Sequence, residues 1–487
     1  MKKTITTIFL SLIITFSFSQ NCNCKSNFDW LKATFEQNDA GFEYYVKQKG
    51  KLNYDLLNKS IREKSKSIND INVCKKLLLE WLHFFRTEHI GLSLVNQTEN
   101  KKKLSNKKKL SNFEVEKKFE NWITIDINLE DFYNYLKTGK TQEYEGVWTT
   151  NNYTLGIKKV NGEYLGFIIE ADGIYWKKRQ IKFTINSNDY SGVYYMKDHS
   201  AKSIDKVDLL NNQYIRLGSY LTLRKKAENF TSNTEIETYL KSINSHNPSL
   251  KKISKSTYLL RIPHMWIQYK KDIDSLINTN IKSITKTENL IIDIRNNGGG
   301  SDFTYESILP LLYTNPIRVV GAEFLSSKIN NTMLEYVVND NSFDKETKDW
   351  AQSILDRANK NLNKFVKMSD DVVEVIKYDT IYHYPKNVAI IIDENVASAS
   401  EQFLLDAKQS KKVKVFGTTT AGGLDLANVF QTVSPNNEFI LNYATSRSMR
   451  IPDMVIDEKG IQPDYYLDKT IPKYKWIDYI TKVLNFK

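Results

Sequence analysis

The chain has 487 residues, with 69 Lys+Arg against 57 Asp+Glu for a formal charge of +12, 41% hydrophobic and 26% charged residues, 9 prolines and 19 glycines. These proportions exclude a wholly disordered, collagenous or disulfide-dense chain, and at roughly 100–200 residues per domain the length accommodates three domains. The positive excess would favour nucleic acid or an anionic surface only if it were gathered on one face, and it is only partly gathered.

Residues 1–20 place Lys2 and Lys3 ahead of an apolar stretch from Ile5 to Phe18, followed by small and polar residues. This reads as an export signal peptide. The stretch is shorter than the roughly 20 apolar residues that span a bilayer, and no comparable run recurs, so no stable membrane insertion is expected. The expected compartment is periplasmic or extracellular. Ser19-Gln20-Asn21 lacks the small-residue pattern of a lipoprotein site ahead of Cys22. In an oxidising compartment Cys22 or Cys24 would pair with Cys74 and leave one thiol over. Cys-x-Cys with one distant cysteine lacks zinc-ligand spacing.

Residues 21–130 read as a helical region with a lysine-rich loop. Leu77, Leu78, Trp81, Leu82 and Phe85 recur at three- and four-residue spacing, and His89 is expected to end that helix beside Gly91. KKKLSNKKKLSN at 101–112 interleaves its lysines with Leu, Ser and Asn rather than with aromatics, which marks a solvated loop and no nucleic-acid contact. Between 131 and 235 short β-branched and aromatic runs alternate with Asn161-Gly162, Asp172-Gly173 and Asn186-Ser187-Asn188. Asn-Gly and Asp-Gly supply the positive φ of tight hairpins, so this module is expected to be an antiparallel meander or small barrel.

From 236 to 487 the texture is α/β. TYLLRIP, LIIDI (290–294), RVVGAEF, VAIII (388–392) and VKVFG (413–417) are apolar strands; 268–284, FTYESILPLLY and SEQFLLDAK are helices between them. Continuous apolar strands alternating with helices predict a mostly parallel sheet, with sites at the strands' carboxyl ends.

Four segments there and upstream can carry chemistry. LIIDIRNNGGG runs a buried strand into three glycines, whose N–H groups can face an anion; alone, it is also what a tight strand-to-helix turn looks like. NVASASE opens a helix after a strand. Ser398 with Glu401 has capping-box spacing, and a nucleophile would occupy the same place, with Ala399 N–H and a glycine N–H of Gly299 or Gly300 as an oxyanion hole. Thr87-Glu88-His89-Ile90-Gly91 offers a histidine, and Asp457-Glu458-Lys459-Gly460 offers carboxylates beside a turn.

Together, LIIDIRNNGGG, NVASASEQFLL with VKVFGTTTAGG, TEHIGL and KGIQPD resemble, in order, the carboxy-terminal processing peptidase and tricorn-core family of serine peptidases. The resemblance implies a crotonase/ClpP-like α/β core and peptide hydrolysis through a serine acyl-enzyme on Ser398 rather than Ser400. Gly423 stands where the processing branch carries its catalytic lysine, so the tricorn-like branch is the one implied. There His89 would be the general base and Asp457 or Glu458 the acidic member, with Glu88 where that branch has an orienting serine. The family's Gly-Leu-Gly-Phe-type carboxylate-gripping loop has no counterpart here. Polypeptide substrates are expected, and no metal or organic cofactor is implied. The alternative is a catalytically inactive member of the fold acting as a peptide- or glycan-binding module.

Overall fold

A computed structural model describes residues 22–95, 112–226 and 233–486; residues 1–20, read above as an export signal, and most of the lysine-rich loop lie outside the described residues. The chain forms two compact units. One is the described part of Met1–Gln97 with Asn247–Tyr466, and the other the described part of Thr98–His246 with Leu467–Lys487.

The first unit opens with four helices, Cys24–Asn38, Phe42–Lys49, Lys51–Ser65 and Ile71–Leu82. Asn23 caps the first and Asp70 the last through side-chain oxygens that accept backbone N–H groups. Their apolar faces bury Phe28, Leu31, Phe35, Leu78 and Trp81, with Phe85 of the following turn, in one cluster with Leu441 and Tyr443 of the strand Phe439–Ser448. Cys24 pairs with Cys74, Cα to Cα 5.5 Å, and Cys22 stays a buried thiol. The helix ends at Leu82, earlier than expected, so His89 lies in a turn before the strand Gly91–Leu94. The strand-forming pull of Gly91–Leu94, which pairs antiparallel with 439–442, fixes that turn.

The centre of the unit is a six-stranded sheet. Ser249–Lys252 pairs antiparallel with Thr257–Arg261, and Thr257–Arg261, Asn289–Asp293, Asn387–Ile392, Val413–Gly417 and Tyr465–Tyr466 follow as parallel neighbours. Leu290, Ile292, Val388, Ile390 and Val415 are wholly or nearly buried in one cluster with the apolar residues of helices Lys270–Ile284 and Ala399–Ala407. Each fully buried aliphatic side chain of this kind contributes about 1.5–3 kcal/mol of transfer free energy. RVVGAEF is two strands, not one. Ile317–Val320 pairs with Val373–Ile376, while Ala322–Leu325 joins Phe439–Ser448 in a second, five-stranded sheet. FTYESILPLLY yields only the short helical turns Asp302–Tyr305 and Leu309–Leu312, because Pro310 suits a first turn and interrupts a longer ladder.

The second unit is built on nine antiparallel strands. From Gly146–Thr149 they run as a meander to Ala201–Ile204 at one edge, and Leu221–Lys225 returns to pair with Gly146–Thr149 and carry two more strands to the other edge. Asn161 (φ +48°) and Gly162 (φ +87°) make the tight hairpin their residue types demand. Asp172-Gly173 does not. Asp172 instead accepts the N–H groups of Ile174, Tyr175 and Trp176 in a longer connection. Among the described residues no helix is long and apolar enough to cross a membrane.

Candidate active site

Three loops leave the carboxyl ends of neighbouring parallel strands and are tied to one another. The loop after Asn289–Asp293 is held at its root by Arg295, which grips buried Asp293 through Nε at 2.9 Å and Nη2 at 2.7 Å. Asn296 N–H donates to Asp393 Oδ1 at 2.8 Å, and Asn395 Nδ2 donates to Asn296 Oδ1 at 2.9 Å. Ala397 N–H donates to Asn297 O at 3.2 Å and Ala421 N–H to Val396 O at 2.9 Å, which joins the second and third loops.

Ser398 sits at the amino end of the helix Ala399–Ala407 with φ +58° and ψ −126°. A non-glycine residue costs on the order of 1–3 kcal/mol in such a conformation, and sharp strand-to-helix turns of this kind project a serine hydroxyl out of the chain. Its N–H donates to Gly423 O at 3.0 Å and to Glu401 Oε2 at 3.2 Å, so the Glu401 half of the capping box forms. Glu401 is wholly buried and accepts Gly422 N–H and Gly423 N–H at 2.9 Å each, with Thr420 Oγ1 as a further donor. One carboxylate thereby fixes the Ser398 backbone and the 420–423 loop together; burial pushes its pKa upward against these bonds. Ser400 is wholly buried and its Oγ has no hydrogen-bond partner, whereas Ser398 is part-exposed.

The expected oxyanion donors differ in their surroundings. A Cβ on Gly299 would stand 2.7 Å from Ser398 Cβ and 2.9 Å from Ala399 N, so the glycine loop lies directly against the serine. Gly299 N–H, however, donates to Asn297 Oδ1 at 3.0 Å and is occupied. Gly300 lies opposite Met265 in an isolated parallel bridge whose bonds run from Met265 N–H to Gly299 O and from Ser301 N–H to Met265 O. Its own N–H therefore points away from Met265 and is not taken up by that bridge.

His89 (φ +54°) is oriented through its ring: Nδ1 hydrogen-bonds the Leu426 carbonyl. A carbonyl only accepts, so Nδ1 carries the proton and Nε2 keeps its lone pair, the tautomer a base requires. Burial and the Arg86 guanidinium hold the imidazole pKa below its ordinary value, which keeps it neutral near pH 7. Arg86, itself buried, forks onto Asp39 at 2.9 and 2.5 Å and donates from Nε to Glu88 O at 3.1 Å, bracing the turn that carries His89.

The two acidic candidates part company. Asp457 is buried and accepts Leu424 N–H and Asp425 N–H at 2.6 Å each and Leu426 N–H at 3.3 Å. It reaches His89 through the Leu426 peptide, accepting at its N–H while its carbonyl accepts from the imidazole. Burial, then the neighbouring Asp425, push the Asp457 pKa to about 6. Glu458 is exposed and pairs with Lys49 at 3.4 Å. Glu88 is exposed too, its stem packed where a side chain on Gly423 would stand: a Cβ there would be 2.8 Å from Glu88 Cβ.

Sequence reasoning missed Asp425 and Arg450. Arg450 Nε donates to Asp425 Oδ1 at 3.1 Å and Nη1 to Gln402 Oε1 at 3.2 Å, and Asp425 Oδ2 accepts Asp457 N–H at 3.0 Å. These contacts run from the helix that Ser398 opens to the carboxylate behind the Leu426 peptide, and nothing in the local sequence of either residue signals them.

A serine at a strained strand end, a glycine loop against it and a histidine of fixed tautomer are the groups that a serine-type peptidase would use. Residues 256–467 match the model of Peptidase family S41. Over 146 residues the chain is 32% identical to the Probable CtpA-like serine protease of Staphylococcus aureus strain COL, a match that covers 28% of each chain; the strain MW2 protein gives the same figures. The chain thus matches less than a third of the length of these curated relatives. Among solved structures, mature CPAF is 14% identical with a TM-score of 0.50, covering 95% of this chain and 96% of that one. Mature CPAF complexed with lactacystin is 13% identical with a TM-score of 0.52, covering 95% and 97%. At such identity the likeness is one of fold.

Proposed function

We propose that this chain is an exported serine endopeptidase that hydrolyses polypeptides through a Ser398 acyl-enzyme, on a core of crotonase/ClpP type. The observation that carries the reading is the His89 Nδ1 to Leu426 carbonyl contact backed by Asp457, which leaves Nε2 as the site of proton acceptance. His89 takes the Ser398 proton as Oγ attacks the scissile carbonyl and returns it to the leaving amine; water then repeats the cycle on the acyl-enzyme. Ala399 and Gly300 N–H groups, with the amino end of the helix, receive the charge on the carbonyl oxygen. Asp457 acts on the histidine through a backbone peptide rather than directly. The periplasm or cell exterior is the compartment that the amino-terminal sequence and the Cys24–Cys74 disulfide favour.

The test is turnover of an unfolded protein by the mature chain, with product termini read by mass spectrometry. Internal cleavage that disappears in Ser398→Ala supports the proposal. Binding of polypeptide without turnover by folded wild-type protein would replace it with the inactive-fold reading.

A further inference from the structure

Beside the glycine loop the chain exposes large apolar groups where a soluble surface normally shows few. Trp266 is 47% exposed, Ile267 59% and Phe303 54%. The Trp266 indole does not swing freely. It stacks on His264 with centroids 4.2 Å apart and planes 13° from parallel, and Tyr269 extends the stack at 6.2 Å from Trp266. The platform is also anchored along the backbone. Met265, wholly buried, is bridged to Gly300, and a Cβ on Gly300 would stand 2.1 Å from Met265 O and 2.7 Å from Trp266 N. Only a glycine at 300 lets the aromatic segment approach so closely. Phe303 is fixed from the other side, where Lys270 Nζ donates to its carbonyl at 3.0 Å while pairing with Glu306 at 3.1 Å.

Continuity with the reactive serine decides what such a surface is for. Gly299, next to Gly300, lies against Ser398 Cβ, so the aromatic rim begins within two residues of the nucleophile's contact. A rigid, solvent-facing aromatic stack there binds at low entropic cost, because its rotamers are already locked. Lys270 pairs with Glu306 and donates to Phe303 O, and the residue next to Phe303 is the carboxylate Asp302, a setting that does not favour an anionic ligand.

We infer that Trp266, with Ile267 and Phe303, forms a specificity subsite that takes an aromatic or bulky apolar side chain of the polypeptide substrate flanking the scissile bond. The inference rests on the peptidase reading of Ser398 for its name as a subsite, and the binding itself does not. The occupant is a segment of substrate rather than a second copy of the chain.

The experiment measures binding to the full mature Ser398→Ala chain by fluorescence anisotropy. The probes are fluorescein-labelled Gly/Ser/Ala decapeptides that differ only in carrying one Phe, one Ala or one Lys. The Phe peptide is expected to bind at least tenfold tighter than the Ala and Lys peptides, and Trp266→Ala and Phe303→Ser, each checked by circular dichroism, should shrink that preference to about twofold. Equal affinities, or a preference that survives both substitutions, overturn the subsite. So does a dimer in sedimentation velocity that Trp266→Ala dissociates, because a second copy would then own the surface. Fluorophosphonate labelling of wild-type protein is read separately: no labelling with the Phe preference intact fails the peptidase reading and leaves the binding site standing.

Discussion

Asp457→Asn separates the two roles that the structure gives one carboxylate. Asp457 accepts three backbone N–H groups, and asparagine can keep those of Leu424 and Asp425 on its remaining oxygen while its NH₂ opposes Leu426 N–H. A buried donor left unsatisfied costs about 1–3 kcal/mol. Against this, burial and Asp425 hold the carboxylate's pKa at about 6 in the fold, above the roughly 3.9 of an ordinary aspartate. A carboxylate raised on folding destabilises once it ionises: the folded state holds the proton more tightly, so stability falls as pH rises from about 4 to 6 and stays reduced above. The gap of roughly two pKa units corresponds to about 3 kcal/mol. At pH 7.5 the two effects nearly cancel, and Asp457→Asn should unfold within about 2 kcal/mol of wild type, on the stable side if on either. At pH 4 only the lost acceptor remains, and the variant should be less stable by about 1–3 kcal/mol. Activity follows the other role. Loss of the acceptor at Leu426 N–H loosens the carbonyl that orients His89, so kcat should fall about 10- to 100-fold with KM within about twofold, since each 1.36 kcal/mol in the transition state is a decade. Urea unfolding at the two pH values, beside steady-state kinetics at pH 7.5, tests this. Unchanged kcat, or a stability difference independent of pH, would refute the reasoning.

Ser400→Ala removes a buried hydroxyl that has no partner, so stability should hold or rise by up to about 1 kcal/mol and turnover should persist; loss of turnover would contradict the assignment of the two serines. Gly423→Ala places a Cβ 2.8 Å from that of Glu88 and should cut activity at least about tenfold, with recovery in the Glu88→Gly, Gly423→Ala double variant; a double-mutant cycle without coupling would show that the contact does not matter. In the β-rich unit Lys182 is wholly buried under Trp176, 3.9 Å from the ring centroid, with Tyr195 O as acceptor, and burial lowers its pKa to about 7. Its folded-state pKa is depressed, so wild-type stability should drop as pH falls from about 10 to 7 and level off below. Lys182→Met should raise the Tm at pH 7 and lose that advantage by pH 10, read by thermal melts across that range.

The sequence carried the parallel strands because their apolar runs are continuous, and it carried the helix start at Ser398 because the capping spacing and the strand before it coincide. It carried the Asn161-Gly162 hairpin for a similar local reason. Two kinds of feature escaped. One is the termination of elements by partners distant in sequence: the helix stops at Leu82 because Gly91–Leu94 pairs with residues 439–442, and RVVGAEF splits at Gly321 between two sheets. The other is the wiring behind the site. Asp457 rather than Glu458 faces the histidine, through Leu426, only because the 424–426 turn folds over it, and Arg450 joins Asp425 to Gln402 across 25 and 48 residues of chain. The oxyanion assignment shows both cases at once. The glycines were legible, but that Asn297 takes the Gly299 N–H is a side-chain choice with no periodicity to betray it.

The central claim, that Ser398 is activated by His89, is tested most directly by fluorophosphonate labelling of the mature protein beside Ser398→Ala, His89→Ala and Ser400→Ala. Labelling of wild type and Ser400→Ala, with none in Ser398→Ala and a slowing of about a thousandfold or more in His89→Ala, is the predicted result. Folded wild-type protein that does not label, or a His89→Ala variant that labels at the wild-type rate, would contradict it.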